Sequence, residues 1–277
     1  MCSFTKNTDN AIRSSRILSC VAIVASMSLL FVAQPSSASA SRVFRDGFES
    51  PGNWQTFEEV VGGSDCYGSG IGQVARTNEV ALAGSSSLRV AANVAESLKS
   101  NHLIAHQPVF DTPASGKMTF IVWARQEPEG PGRQGETGPE ISVQSTAADG
   151  LTTIAGVQYL TNPHAPGHGT WQIWQDVGGR GGWSPLFTQP IQRGVWYQLV
   201  LEADFTTGRY LRFTLTGPGA QKSLSLTQVR LGVDAKGFTT PATEVTLEAE
   251  NLYNNCGTAG ATSFRVHYDE LLLVLQG

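Results

Sequence analysis

Lys117-Met118-Thr119-Phe120-Ile121-Val122-Trp123-Ala124-Arg125 divides by parity. Successive side chains of an extended chain point to opposite faces. Met118, Phe120, Val122 and Ala124 therefore share one face, and Thr119, Ile121, Trp123 and Arg125 share the other. The segment is predicted as a strand with one buried side. The same period of two, punctuated by Gly, Pro, Asn and Asp, predicts strands at 88–92, 140–145, 154–160, 170–176, 196–203, 210–216, 224–231, 244–249 and 264–275. Only Ala91–Ser100 reads as a short helix, and Gln126–Pro139, with three glycines at period three, reads as a long loop. Short strands without intervening helices predict a sandwich or barrel.

Residues 1–40 have the zones of a cleavable signal peptide. Lys6, Arg13 and Arg16 precede an apolar run from Ile17 to Ala33, and Ala38-Ser39-Ala40 has the form a signal peptidase accepts. The run falls short of the roughly 20 residues of a membrane span, and Ser19, Ser26 and Ser28 dilute it. The chain is expected to be exported to the periplasm or the medium as a single domain, residues 41–277, with no membrane association after cleavage. Removing a +2 leader from a chain of net charge −4 leaves −6. That balance and the absence of a basic run argue against nucleic acid and anionic lipid as partners. Two cysteines remain in the mature part, Cys66 and Cys256, and in an exported protein they are expected to form a disulfide. Such a bridge needs the first and last strands to lie side by side.

Alternation also defines a polar face. Ile141 and Val143 oppose Glu140, Ser142 and Gln144. Trp171 and Ile173 oppose Gln172, Trp174 and Asp176, and Gln158 opposes Val157 and Tyr159. If these strands share a sheet with 117–125, its outer face collects Trp123, Arg125, Glu140, Gln144, Gln158, Gln172, Trp174 and Asp176. Amides and carboxylates bind sugar hydroxyls, and an indole packs on the C–H face of a pyranose. Trp171, Trp183, Tyr159 and Phe187 are assigned to core or loop packing, and Trp196 is a second exposed candidate. His164 and His168 lie in a Pro- and Gly-rich loop and are read as loop polarity rather than metal ligands.

Asp46-Gly47-Phe48-Glu49-Ser50-Pro51-Gly52-Asn53-Trp54, Gly84-Ser85-Ser86-Ser87-Leu88-Arg89-Val90 and Tyr268-Asp269-Glu270-Leu271-Leu272-Leu273 stand in an order that resembles the jelly-roll carbohydrate-binding modules. Gly194-Val195-Trp196-Tyr197-Gln198-Leu199 is similar to a strand of the laminin-G-like and concanavalin-A-like lectin sandwiches. The resemblance implies an all-β, two-sheet antiparallel jelly roll with adjacent terminal strands. It also implies a structural calcium ion held by Asp46, Glu49 and Asp269, whose hard oxygens suit that ion.

Glycosidases and polysaccharide lyases share this fold, so fold alone does not decide activity. The E-x-D-x-x-E run of such glucanases and the Q-x-H element of such lyases are missing from the sequence. The expected function is therefore a secreted, monomeric, non-catalytic binder of a polysaccharide. A lyase or glycoside hydrolase on the same fold is the alternative, and a cell-surface structural or adhesion domain is a third reading.

Overall fold

The computed structural model describes residues 40–59, 72–93, 101–127, 136–161, 167–234, 240–251 and 263–277. The leader, Cys66, Cys256, His164, and residues 94–100 and 128–135 lie outside them. The described residues form sixteen strands and no helix. The first eight are β1 (Arg42–Asp46), β2 (Gln55–Glu59), β3 (Gln73–Thr77), β4 (Ser87–Asn93), β5 (Asn101–Phe110), β6 (Lys117–Gln126), β7 (Glu136–Thr146) and β8 (Thr152–Leu160). Then come β9 (Thr170–Asp176), β10 (Gly181–Thr188), β11 (Tyr197–Asp204), β12 (Arg209–Gly217), β13 (Ala220–Ser225), β14 (Gly232–Asp234), β15 (Ala242–Asn251) and β16 (Ser263–Gln276).

They assemble into two eight-stranded antiparallel sheets. The back sheet runs β13-β12-β11-β6-β16-β4-β3, with β1 also on β16. The front sheet runs β10-β9-β8-β7-β15-β5-β2, with β14 also on β8. Arg42 stands opposite Leu275 and Asp46 opposite Leu271, so the first and last strands are neighbours, as expected.

Parity builds the core. Met118, Phe120 and Val122 of β6 meet Ile141 and Val143 of β7, Val157 of β8 and Ile173 of β9, all at most 1% exposed. Burying each such side chain contributes about 1.5–3 kcal/mol, which holds the alternation in register.

Three expectations are corrected. Ala91–Asn93 is not helical but ends β4, because Ala91 is paired to Gln73 on one side and Arg265 on the other. The stretch 126–139 is not all loop: Gln126 ends β6, and Glu136 begins β7. The segment 224–231 is not one strand. It turns after β13, where Val229 donates its N–H to the Leu226 carbonyl at 2.8 Å.

Two tyrosines of the back sheet cross the core to repair gaps in the front sheet. β9 pairs with β8 only over Val157–Tyr159; beyond that β14 takes its place, opposite Thr152–Ile154. At the split Tyr210, fully buried, accepts the Gly156 N–H at 2.9 Å and donates to the Trp174 carbonyl at 2.5 Å. The second gap is a bulge in β7, where Glu248 faces Glu140 but Glu250 faces Thr137. There the Tyr268 hydroxyl donates to the Glu248 carbonyl at 2.6 Å and accepts the Glu140 N–H at 3.2 Å. Tyr210→Phe orphans the buried Gly156 N–H. We expect it to lower the unfolding free energy in urea by about 1–3 kcal/mol, with an unchanged far-UV spectrum.

Candidate active-site groove on the front sheet

The outer face of the front sheet carries a groove of about 360 Å³. Its lining comes from β2, β5, β15, β7, β8, β9, β10 and β14, so the groove crosses the strands. Six inter-strand steps at about 4.8 Å give it a length of roughly 29 Å. Its floor is low in the middle, where Ser142 of β7 faces Gly156 of β8. A Cβ on Gly156 would stand 3.0 Å from that of Ser142.

At one end lies a buried acidic centre. β7, β15 and β5 are neighbours, and they present Glu140, Glu248 and His102, which are 6%, 4% and 8% exposed. Glu140 and Glu248 are cross-strand partners, so their carboxyls are forced together. The Nε2 of His102 lies 2.6 Å from Oε2 of Glu248. The other oxygen of Glu248 accepts the Thr246 hydroxyl at 2.5 Å, and Ser142 Oγ lies 2.6 Å from that same Thr246 oxygen. Burial, and next the negative charge of Glu248, push the Glu140 carboxyl well above the usual carboxylate range; His102 opposes this only in part. Glu140 thus keeps its proton where an exposed glutamate is ionised. His106 and Glu244 repeat the pairing further along the same two strands, at 3.5 Å.

The other end is aromatic. Trp174 of β9 and Trp183 of β10 meet edge to face, their ring centroids 5.2 Å apart. The Trp174 indole rests on two glycines: a Cβ on Gly181 or Gly232 would approach it to 2.3 or 2.5 Å. Asp234 of β14 completes the aromatic end, and Phe57 of β2 stands half-exposed at the lip of the opposite, acidic end. No Lys or Arg is among the described residues that line the groove.

The residues expected on one polar face are divided between the two sheets. Glu140, Gln144 and Trp174 line the groove. Gln158 stands in register beside Glu140, and its Nε2 donates to Gln172 Oε1 at 2.6 Å. Trp123 and Arg125 do not join them. β6 belongs to the back sheet, so its outer face lies on the far side of the sandwich, where Arg125 is 3.6 Å from Glu127. Asp176 is outside the lining and closes the β9–β10 turn by accepting the Gly179 N–H at 2.7 Å. Trp171 and Tyr159 are in the core, as assigned, but Trp183 lines the groove. Trp196, expected to be exposed, is half-buried just before β11, and His168 is exposed in the turn before β9.

His102, Glu248 and Thr246 were not collected from the sequence. Glu244-Val245-Thr246-Leu247-Glu248 alternates as cleanly as β6, and His102-Leu103-Ile104-Ala105-His106 does the same. The parity signal was present in both.

The carboxylates assigned to calcium are engaged elsewhere. Asp46 accepts the Phe48 N–H at 2.7 Å and the Trp54 indole N–H at 2.9 Å. Glu49 accepts the Ser85 and Ser86 N–H groups at 2.8 and 3.0 Å and the Ser85 hydroxyl at 2.8 Å. Asp269 accepts the N–H groups of Leu82, Ala83 and Glu270 at 2.7, 3.2 and 2.8 Å. Every one of these six oxygens has a donor, and the three side chains are not gathered within 4.8 Å as a ligand set. They do not by themselves fit a shell of 6–8 oxygens.

No family model and no curated protein matches the sequence. Solved structures are. The endo-β-1,4-glucuronan lyase of Trichoderma reesei superposes with a TM-score of 0.50 at 12% identity, over 87% of this chain and 96% of that one. The PL-14 alginate lyase of Aplysia kurodai also gives 0.50, at 8% identity, over 74% and 87%. The fold is a jelly-roll sandwich. At these identities the likeness speaks for that architecture alone.

Proposed function

We propose that this chain is a polysaccharide-cleaving enzyme that works by general acid–base catalysis in the front-sheet groove, with Glu140 as the acid. The observation that carries the reading is a buried carboxyl beside a second carboxylate and a histidine, at one end of a groove with an indole wall at the other. A sugar packed on Trp174 and Trp183 brings the glycosidic bonds of its chain over this centre. Glu140 then gives its proton to the leaving oxygen as the bond breaks. This replaces the expectation of a non-catalytic binder. Against that expectation stand two solved structures of the same architecture, the glucuronan lyase and the alginate lyase, and the acidic centre of the groove supports the same change of reading. The motifs found missing belong to other arrangements of the same fold, and a site is recognised by geometry and roles.

Hydrolysis is the step this centre favours. The ligand oxygens of Glu140 and Glu248 lie within 4.8 Å. The two carboxyls face each other from adjacent strands and are hydrogen-bonded, so one can hold a proton while the other carries the charge. Glu248, oriented by His102 and Thr246, bonds the anomeric carbon as the leaving oxygen takes the Glu140 proton; water then displaces Glu248 from that carbon and gives a proton back to Glu140. β-Elimination is the second reading, brought by the two named lyases, with His102 as the base. It needs the uronate charge neutralised, and among the described residues the lining supplies carboxyls but no guanidinium or ammonium. Export by the 1–40 leader would place the enzyme with extracellular or periplasmic glycan.

The test is a panel of neutral β-glucans, xylan and mannan set against alginate and glucuronan, read for reducing ends and for unsaturated-uronate absorbance. Hydrolysis gives new reducing ends on a neutral polymer with no absorbance. Absorbance rising on a polyuronate would assign elimination instead, and a glycan that binds yet stays intact would overturn catalysis.

A further inference from the structure

The three donors at the acidic end also match the demands of a divalent transition ion. The ring nitrogen of His102 and one oxygen each of Glu140 and Glu248 lie within 4.8 Å of one another, and all three residues are buried. One imidazole and two carboxylates form a mixed N/O set of the kind Zn²⁺ accepts at about 2.0–2.2 Å, while Ca²⁺ and Mg²⁺ prefer oxygen alone. The open groove above leaves room for water in a further position.

Two other features point the same way. The donors are held from behind: Tyr268 ties the backbones of Glu140 and Glu248, and Thr246 donates to the Glu248 oxygen that faces away from His102. Ligating groups fixed by such outer partners are the mark of built metal sites. Beside Glu140, Gln158 is only 5% exposed, and its Oε1 has no hydrogen-bond partner among the described residues. A buried acceptor left empty costs about 1–3 kcal/mol unless something electropositive meets it.

We infer that His102, Glu140 and Glu248 form a binding site for one Zn²⁺-class ion. An ion there engages the Glu140 carboxyl directly, so the metal-loaded groove lacks its acid and zinc blocks cleavage. Ion binding itself does not depend on whether the chain cleaves a glycan.

The experiment is titration of the metal-free mature protein with ZnCl₂, followed by calorimetry and by melting temperature, and with CoCl₂, followed by visible absorption. We expect one ion per chain, a raised melting temperature, and a Co²⁺ spectrum of low coordination number that Zn²⁺ abolishes and Ca²⁺ does not. His102→Ala and Glu140→Gln should each weaken Zn²⁺ binding at least tenfold, whereas His168→Ala, at an exposed turn, should leave it unchanged. Glu140→Gln is nearly isosteric, so it remains informative if His102→Ala fails to fold. Absence of Zn²⁺ binding, or binding that survives Glu140→Gln or is lost in His168→Ala, would overturn the site whatever the glycan panel shows.

Discussion

Replacing Glu140 by glutamine should lower the rate of polysaccharide cleavage by roughly 10²–10⁴-fold, the contribution of a positioned general acid. The amide keeps the shape of the side chain and can still face Glu248, but it cannot release a proton to a leaving oxygen. Stability should move the other way. Burial and Glu248 raise the Glu140 pKa above its unfolded value, so the stability this group contributes is fully present below the ordinary glutamate range. It is lost as pH rises through the raised value. Glutamine has no such transition. The melting temperature of Glu140→Gln should therefore equal or approach that of the wild type in acid and exceed it increasingly as pH rises. Activity of the wild type should fall over the same upper range, as the acid ionises. Initial rates against pH, paired with thermal melts of both proteins, check these outcomes together. A variant that kept full activity would remove Glu140 from the chemistry.

What could be read in the chain follows from what parity encodes. Period two fixed which residues of β6, β7, β8 and β9 face inward, because a one-residue slip would expose Phe120, Ile141, Val157 and Ile173 together. Parity is silent about which sheet a strand joins. β6 and β7 are consecutive, yet they lie in different sheets, so Trp123 and Gln144 share a parity argument without sharing a surface. The acidic centre was hidden for a different reason. His102 lies on a strand interrupted by Pro108 and preceded by the Ala- and Lys-containing stretch read as helix, so β5 was not recognised. Glu248 lay on a recognised strand, but its partner in space, Glu140, is 108 residues earlier in the chain. Their convergence depends on strand order and on a bulge closed by Tyr268, a residue of the opposite sheet. None of these is a local property of the sequence. The terminal pairing of β1 with β16 was accessible because the end motifs carried it.

Trp171 and Trp174 are three residues apart on β9 and give opposite expected results. Trp171 is 0% exposed and surrounded by aromatic rings. Tyr159 lies at 5.1 Å between centroids, Phe213 at 5.3 Å and Phe187 at 6.5 Å, and the indole N–H donates to the Gln189 carbonyl at 3.2 Å. Trp171→Ala removes the centre of that cluster and leaves a cavity between the sheets. It should cost about 3–5 kcal/mol, the range for deleting a large buried aromatic. Trp174 points the other way, into the groove, where its loss exposes Gly181 and Gly232 but opens no void between the sheets. Trp174→Ala should weaken glycan affinity by about 1–3 kcal/mol, as for an aromatic anchor, with a smaller effect on unfolding. Denaturant unfolding and glycan titration of both variants separate the two roles. If Trp174→Ala proved the more destabilising of the pair while glycan affinity was unchanged, the indole would be part of the scaffold, and the sugar would have to rest elsewhere in the groove.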